Sequence, residues 1–96
     1  MTQPSHPYPE VAVIGGGAAG FFLAIHLKQA RPETRVVILE RSRRLLAKVR
    51  ISGGGRCNLT NSFASVCDLS HVYPRGHRLM SRLLRQFGPK QTCVWF

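Results

Sequence analysis

Three short apolar runs, separated by glycine and by charged residues, organise the first forty positions of the chain. Residues 11–14 are consecutive apolar residues with β-branched members, which predicts a strand buried on both faces. From Ala18 to about Ala30 the chain is mostly apolar and predicts a helix, which Pro32 ends. Residues 36–39 predict a second buried strand. Strand, helix and strand in this order predict a βαβ unit, in which the crossover makes the two strands parallel.

The pattern is weaker after position 40. Residues 41–50 are basic and mixed, with little secondary-structure signal. Residues 52–61 (SGGGRCNLTN) combine turn formers with hydrogen-bonding side chains and predict a loop with unusual backbone geometry. Residues 78–87 have one apolar and one arginine-rich face, which predicts a helix ended by Gly88 and Pro89. Residues 1–9, with three prolines, are expected to form a flexible arm.

Length and charge change this picture. A chain of 96 residues is shorter than a doubly wound sheet normally requires. We therefore expect residues 10–96 to be the opening portion of a larger domain. The formal net charge of +10 comes from residues 41–96, which hold eleven basic residues against Asp68 alone. Such a basic half is compatible with nucleic acid or an anionic surface, but missing acidic partners in a longer chain are the favoured explanation.

The cysteines and the long apolar stretch exclude several classes of protein. Cys57, Cys67 and Cys93 lie at wide, irregular spacings, so neither a disulfide framework nor a zinc site is predicted, and no metal is expected. Residues 11–27 contain four glycines in their first ten positions and follow a segment without Lys or Arg. This favours strand, turn and helix over a signal sequence or a membrane span. A soluble protein in the reducing cytoplasm is expected.

Residues 15–20 (GGGAAG), here named the glycine turn, satisfy the dinucleotide-binding pattern G-x-G-x-x-G. They follow a predicted strand, open a helix, and precede an acid at position 40, at the end of the next strand. Gly15 would permit the sharp turn, Gly17 the approach of a pyrophosphate, and Gly20 the close packing of helix on strand. Glu40 would accept hydrogen bonds from an adenosine ribose and disfavours a 2′-phosphate, although the spacing alone leaves FAD and NAD open. The candidate residues are Gly15, Gly17, Ala18, Ala19, Gly20, Glu40 and the adjacent Arg41.

A second glycine cluster lies in the glycine loop, the name used below for residues 52–61. Three consecutive glycines allow a backbone to approach a flat or bulky ligand, and Arg56 offers a forked donor for phosphate oxygens. Lys48 is predicted to neutralise a pyrophosphate, with a solvated surface lysine as the alternative. Cys57 has no second cysteine a few residues away, so a small packing residue is favoured over a redox partner. The candidates here are Lys48, Gly54, Gly55, Arg56, Cys57 and Asn58.

The strings VAVIGGGAAGFFLAIHL, VVILE and above all KVRISGGGRCNLTN closely resemble the N-terminus of a bacterial flavoprotein family. This is the BaiN-type, aminoacetone-oxidase-like family of NAD(P)/FAD-dependent oxidoreductases. The resemblance implies an α/β fold, the incomplete N-terminal βαβ part of a Rossmann-like FAD-binding domain, with the substrate domain beyond Phe96. It also implies FAD as cofactor, with its pyrophosphate on the glycine turn and its ribose on Glu40. Lys48 and residues 53–58 would line the flavin.

The resemblance further implies a small-molecule substrate, with NAD(P)H as a candidate electron donor in the full-length enzyme. No side chain in the sequence is a convincing general acid or base, so no catalytic residue is named. The chain alone is not expected to be catalytically competent, because most of the cofactor and substrate sites would lie beyond Phe96.

Two alternatives remain open from the residues themselves. One is a Rossmann domain that binds NAD, as a dehydrogenase or a nucleotide sensor. The other is a small basic module that binds nucleic acid or anions through Arg78, Arg82 and Arg85. A solvated arginine face is favoured over the second, because no aromatic residues are interleaved for base stacking. Nucleic acid and membrane are therefore not expected partners.

Overall fold

A computed structural model describes residues 9–96, and the chain divides into two compact units, Met1–Cys57 and Asn58–Phe96. The predicted flexible arm lies outside the described residues, except for Pro9. The interpretation of residues 10–96 as one continuous portion of an FAD-binding domain stays a prediction.

The first unit is built on the predicted βαβ arrangement. Strand β1 spans Val11–Ile14, helix α1 spans Ala18–Ala30, and strand β2 spans Val36–Leu39. The strands pair in parallel, with Val11 opposite Val36 and Ile14 opposite Leu39. β-Branched residues form both strands because their side chains fit a pleated surface. The predicted α/β class and the order of its first three elements are confirmed.

The sheet is covered on one face only. Val13 of β1 and Ala24 of α1 are buried, at 6% and 8% exposure, and form the small core. On the opposite face Ile14 is 80% exposed and Leu39 is 51% exposed. The prediction that residues 11–14 are buried on both faces is therefore wrong for the described residues, and the predicted second buried strand is only partly buried. Successive side chains of a strand point to opposite faces, and α1 packs against only one of them.

The end of α1 is fixed by hydrogen bonds to the connection that follows. The Arg31 N–H donates to the Leu27 carbonyl at 2.8 Å, and the helix ends before Pro32 as predicted. The Lys28 ammonium donates to the carbonyl oxygens of Pro32 and Thr34, the latter at 2.9 Å. Thr34 is itself buried, at 5% exposure. These contacts direct the chain from the end of α1 into β2.

The remainder of the first unit turns back to the glycine turn. The Leu46 N–H donates to the Gly16 carbonyl at 2.7 Å, and Leu46 takes a left-handed backbone conformation with φ of 54°. Helix α2 then spans Ala47–Ile51, and a 3₁₀ turn spans Ser52–Gly55. The sequence signal for residues 41–50 was weak because the helix has only five residues and buries none of them.

The second unit contains a 3₁₀ turn at Leu69–His71, helix α3 at His77–Gln86 and helix α4 at Pro89–Trp95. The helix predicted over residues 78–87 is confirmed with its bounds shifted by one residue. Gly88 and Pro89 end it as predicted, but they also begin α4, which the sequence did not predict. Pro89 lies in the first turn of α4, and the Gly88 N–H donates to the Gln91 side chain at 3.0 Å.

None of the helices in residues 9–96 combines the length and the apolar character that a membrane crossing requires, and the longest of them, α1, has 13 residues.

Candidate functional site

The glycine turn connects β1 to α1 through a backbone that only glycine adopts easily. Gly15 has φ of +105°, and its N–H donates to the Leu39 carbonyl at 2.8 Å. A Cβ atom at Gly20 would overlap the carbonyl oxygen of Gly15 and lie 3.3 Å from a Val13 methyl carbon. The structural reasons predicted for Gly15 and Gly20, a sharp turn and close packing of helix on strand, agree with this geometry.

The amino end of α1 presents unpaired donors and the positive end of the helix dipole. Gly17 is the N-cap, offers no side-chain cap, and the first helical turn contains no acidic residue. The N–H groups of Gly17, Ala18, Ala19 and Gly20 precede the first helical bond, which the Phe21 N–H donates to the Gly17 carbonyl at 3.1 Å. Such a helix end is chemically suited to bind phosphate oxygens.

Gly17 differs from Gly16 and Gly20 in having open space around it. A Cβ atom at Gly17 would meet no atom within 4 Å, and the residue is exposed. Packing within the described part of the chain therefore gives no reason for glycine at this position. The absence of a side chain keeps the backbone donors of the turn accessible from outside.

Glu40 follows β2 and reaches across to the glycine turn. Its Oε1 accepts a hydrogen bond from the Gly16 N–H at 3.0 Å, and its Oε2 accepts one from the Ser42 N–H at 2.6 Å. The carboxyl ends of parallel strands lie at the same edge of the sheet, which explains how residues 24 apart in sequence meet. Each carboxylate oxygen can accept more than one hydrogen bond, so both retain capacity for ligand hydroxyls.

Hydrogen bonding keeps this carboxylate ionised. The pKa of Glu40 is lowered from its ordinary value, chiefly by the Ser42 N–H, next by the Gly16 N–H and then by the Ser42 hydroxyl. The positive charge of Arg41 contributes the smallest lowering of this pKa. Donors that bind the charged form favour it, so Glu40 is an acceptor-only group at neutral pH.

Gly16 is a residue of the site that the sequence reasoning did not single out. It is buried, and a Cβ atom there would lie 2.6 Å from a Leu45 methyl carbon and 3.1 Å from the Glu40 Cβ. Its N–H binds Glu40 and its carbonyl binds the Leu46 N–H. The unspecified second position of the G-x-G-x-x-G pattern therefore joins the turn to the segment after β2. Three glycines in a row were the only sequence signal for this role.

The glycine loop has the unusual backbone geometry predicted for it. Gly53, Gly54 and Gly55 have φ values of 58°, 63° and 87°, and Cys57 also has a positive φ, of 60°. The loop closes on itself through a hydrogen bond of 2.9 Å from the Cys57 N–H to the Ser52 carbonyl. A Cβ atom at Gly54 or Gly55 would meet nothing within 4 Å, so backbone conformation rather than packing requires these glycines.

The side chains predicted to act beside this loop are all exposed. Lys48 lies on α2, Arg56 and Cys57 follow the 3₁₀ turn, and Asn58 begins the second unit. Their roles at a flavin stay predictions. The interpretation of Cys57 as a packing residue is wrong for the described residues, among which its side chain is exposed. Cys67 and Cys93 are exposed as well, so neither belongs to a core.

The described residues contain no cluster of side chains that could bind a metal ion. Across residues 9–96, no three His, Cys, Asp or Glu side chains come together in a way that would hold a metal ion.

Comparison with known proteins gives both a family match and individual relatives. The family model described as the HI0933-like protein Rossmann domain matches residues 9–96. The chain is 34% identical over 86 residues to a 3-dehydro-bile acid delta(4,6)-reductase of Clostridium scindens. It is 41% identical over 78 residues to a ribosomal RNA dihydrouridine synthase of Haemophilus influenzae. It is 39% identical over 54 residues to a protein of the same name from Escherichia coli.

These alignments involve most of this chain but little of each relative. They cover 90%, 81% and 56% of the chain, and 20%, 18% and 13% of the respective relatives. The chain thus spans about a fifth or less of the length of the curated relatives it matches. No solved structure matches the chain at a significant level.

Proposed function

The chain belongs to the HI0933-like Rossmann domain family, as its resemblance to a bacterial flavoprotein family predicted, and from this premise we propose that it binds the ADP half of FAD. The observation that carries the proposal is the hydrogen bond from the Gly16 N–H, which holds the Glu40 carboxylate against the glycine turn, together with the bond from the Ser42 N–H, which fixes its other oxygen. They place an ionised acceptor beside the amino end of α1, where a pyrophosphate would bind.

The proposed pyrophosphate site consists of backbone groups. The N–H groups from Gly17 to Gly20 lack helical partners, and the helix dipole favours negative charge at this end. The open space at Gly17 would let phosphate oxygens approach these donors closely. Uncharged donors of this kind bind the pyrophosphate without a lysine, so Lys48 would add to the attraction but is not essential to it.

The proposed ribose site is the Glu40 carboxylate. Each oxygen already accepts one backbone N–H and can accept a ribose hydroxyl in addition. The ionised group would repel a 2′-phosphate, which supports FAD or NAD over NADP at this position. Within the proposal Arg41 stays beside Glu40 and helps keep it ionised.

The whole protein to which this unit belongs would be an oxidoreductase. One relative is named a reductase, and the family resemblance implies flavin chemistry. FAD, when bound, would supply the electron transfer, and the residues of this chain would bind and orient it. NAD(P)H is the proposed electron donor, and no catalytic residue is proposed within the described chain. Three free, exposed cysteines fit a reducing compartment such as the cytoplasm.

Two substrate classes follow from the names of the relatives. The name of one relative gives a bile acid as the substrate, whereas the names of the other two give ribosomal RNA. The positive charge of residues 41–96 supports RNA as the second candidate substrate. This differs from the expectation from the sequence, in which nucleic acid was not a partner. In both classes the flavin would deliver the electrons to a carbon–carbon double bond of the substrate.

The test of the proposal is the identity of the bound nucleotide. Protein purified without added cofactor is examined for flavin absorbance, then denatured, and the released nucleotide is identified by chromatography. The proposal expects FAD. Release of NAD from a colourless protein would support the alternative Rossmann dehydrogenase or sensor instead. Protein that binds neither nucleotide when each is titrated would remove the cofactor site altogether.

A further inference from the structure

The second unit contains an open groove of about 640 Å³ along one face of α3. Residues 67–69 form its other wall, with Asp68 among them. The side chains from α3 that line it are His77, Arg78, Ser81, Arg82 and Arg85. We refer to it as the arginine groove.

The helix aligns the three arginines. Arg78, Arg82 and Arg85 are spaced by four and three residues, which places them on one face of α3. They span about 10 Å along the helix axis at 1.5 Å per residue. The opposite face is apolar and includes Met80, Leu84 and other large residues. The arginines therefore form a row rather than a cluster about one point.

The positive charge of this row is not neutralised within the described chain. Over residues 9–96, no ion pair is found for any of the three guanidinium groups. Asp68 is the only acidic group in the lining. Its Oδ1 accepts the Ser70 N–H at 2.8 Å, and its Oδ2 lies 4.0 Å from the His71 ring. Three cations thus share the groove with one carboxylate.

A polar atom at the start of α3 also lacks a partner. The Nδ1 atom of His77 is buried, and no hydrogen bond to it is found among the described residues. Buried polar atoms in native structures nearly always have a partner, either in the protein or in something bound to it. The hydroxyl of Ser81 adds a donor in the same groove.

We propose that the arginine groove binds the phosphodiester backbone of an RNA strand, through Arg78, Arg82 and Arg85. Guanidinium groups pair with phosphate oxygens through two parallel hydrogen bonds. A row of three separate cations suits successive phosphates of a strand better than one free phosphate, which convergent groups bind best. No Phe, Tyr or Trp side chain is among the described residues that line the groove, so it would contact the backbone and not select the bases.

The role of the groove as part of a substrate site rests on the proposed function, a flavin enzyme that acts on RNA. The affinity of the groove for RNA does not depend on that function. RNA bound along it would be a substrate strand positioned by its backbone. The choice of the modified base would come from the flavin site. The two properties are therefore separable by experiment.

The test measures RNA affinity and its salt dependence in the purified full chain. A fluorescein-labelled single-stranded RNA of mixed sequence is titrated by fluorescence anisotropy over a range of salt concentrations. The groove variant replaces Arg78, Arg82 and Arg85 with glutamine. Its control removes the same charge from exposed positions outside the groove, Arg31→Gln, Arg75→Gln and Lys90→Gln. A third protein carries lysine at the three groove positions and keeps the charge.

The proposal expects the groove variant to bind RNA at least tenfold more weakly than the control. Each phosphate contact on a single strand contributes about 0.7 to the slope of log affinity against log salt. The groove variant should therefore lose about 2 from this slope, and the lysine protein should retain most of it. Equal loss in groove variant and control would mean diffuse attraction and would overturn the proposal. So would full displacement of RNA by low millimolar inorganic phosphate, which would indicate a site for single anions.

A folding defect is separated from a binding defect by the lysine protein and by circular dichroism. If the glutamine variant unfolds, the lysine protein must still bind RNA and retain most of the parent's salt slope, and failure to do so refutes the groove. FAD content is measured on the same samples. RNA binding without FAD would refute the flavin proposal and leave the groove standing. FAD binding with no affinity for RNA would refute the groove proposal and leave the flavin proposal standing.

Discussion

Glu40 and Gly16 are joined by a hydrogen bond of 3.0 Å, although 24 residues separate them in the chain. The bond fixes the carboxylate at the edge of the sheet where the glycine turn begins. A second bond from the Ser42 N–H holds the other oxygen. The site is therefore shaped before a ligand binds, and the predictions below follow from this arrangement.

Substitution by alanine should have different effects at two glycines of the turn: it should mainly reduce stability at Gly20 and mainly reduce FAD affinity at Gly17. Gly20→Ala places a methyl group on the Gly15 carbonyl and should lower the free energy of unfolding by about 1–3 kcal/mol, as overpacking does. Gly17→Ala meets no atom and should cost less than about 1 kcal/mol, mainly as a poorer helix cap. Its methyl group would nevertheless block the pyrophosphate and weaken FAD binding at least tenfold. Urea unfolding and FAD titration of both variants provide the check, and normal FAD binding by Gly17→Ala would contradict the site.

Replacing Glu40 with glutamine keeps the shape of the side chain but should weaken FAD binding. In Glu40→Gln the amide NH₂ must face either the Gly16 or the Ser42 N–H, which sets donor against donor. Hydrogen bonds to a charged group are stronger than those to a neutral one, so we expect at least a tenfold loss of affinity. Isothermal titration with FAD measures it. Glu33→Gln, at an exposed position outside the site, is the matched control and should bind FAD as the parent does.

Acid should destabilise the protein through Glu40. Its pKa is lowered in the folded state, so its contribution to stability is complete above the unfolded pKa and is lost as the pH falls through the folded pKa. The free energy of unfolding of the parent should therefore fall more steeply than that of Glu40→Gln below the ordinary glutamate range. Asp68, whose pKa is also lowered, titrates in both proteins and cancels in the comparison. Parallel acid profiles would show that the two backbone bonds do not favour the ionised form.

The left-handed backbone of the glycine loop should be needed for cofactor binding. Gly54→Ala at φ of 63° and Gly76→Ala at φ of 77° both meet open space, so each should carry similar strain of about 1–2 kcal/mol. Only Gly54 belongs to the predicted flavin site, so FAD affinity should fall in Gly54→Ala and stay unchanged in Gly76→Ala. Gly54→Asn should recover part of the loss, since asparagine tolerates this conformation. Equal FAD affinity in all three variants would remove the loop from the site.

Periodicity and local chemistry predicted the elements that are decided locally. β1, α1 and β2 have the expected bounds because β-branched runs, a glycine turn and Pro32 each act over a few residues. α4 was missed because Gly88 and Pro89 serve both as the end of one helix and as the start of the next. A helix of seven residues with no buried side chain leaves no periodic signal to reveal it.

The site shows the same division between local and long-range features. Glu40 was predicted from its place after the second strand, but its bond to Gly16 depends on the parallel register of the sheet. Burial of both sheet faces was predicted from the continuous apolar runs, which cannot tell how many helices cover a sheet. The arginines of α3 were interpreted as a solvated face because no aromatic residues are interleaved with them. The groove beside them could not be predicted, since its other wall comes from residues 67–69, a segment without clear period.

The most direct test of the central claim compares two adenosine nucleotides on the purified protein freed of bound flavin. Isothermal titration measures the affinity of adenosine 5′-diphosphate and of the same nucleotide carrying an additional 2′-phosphate. With Glu40 ionised at the ribose, the protein should bind adenosine 5′-diphosphate at least tenfold more tightly, and Glu40→Gln should narrow the difference. Equal affinity for the two nucleotides, or tighter binding of the 2′-phosphate, would contradict the account.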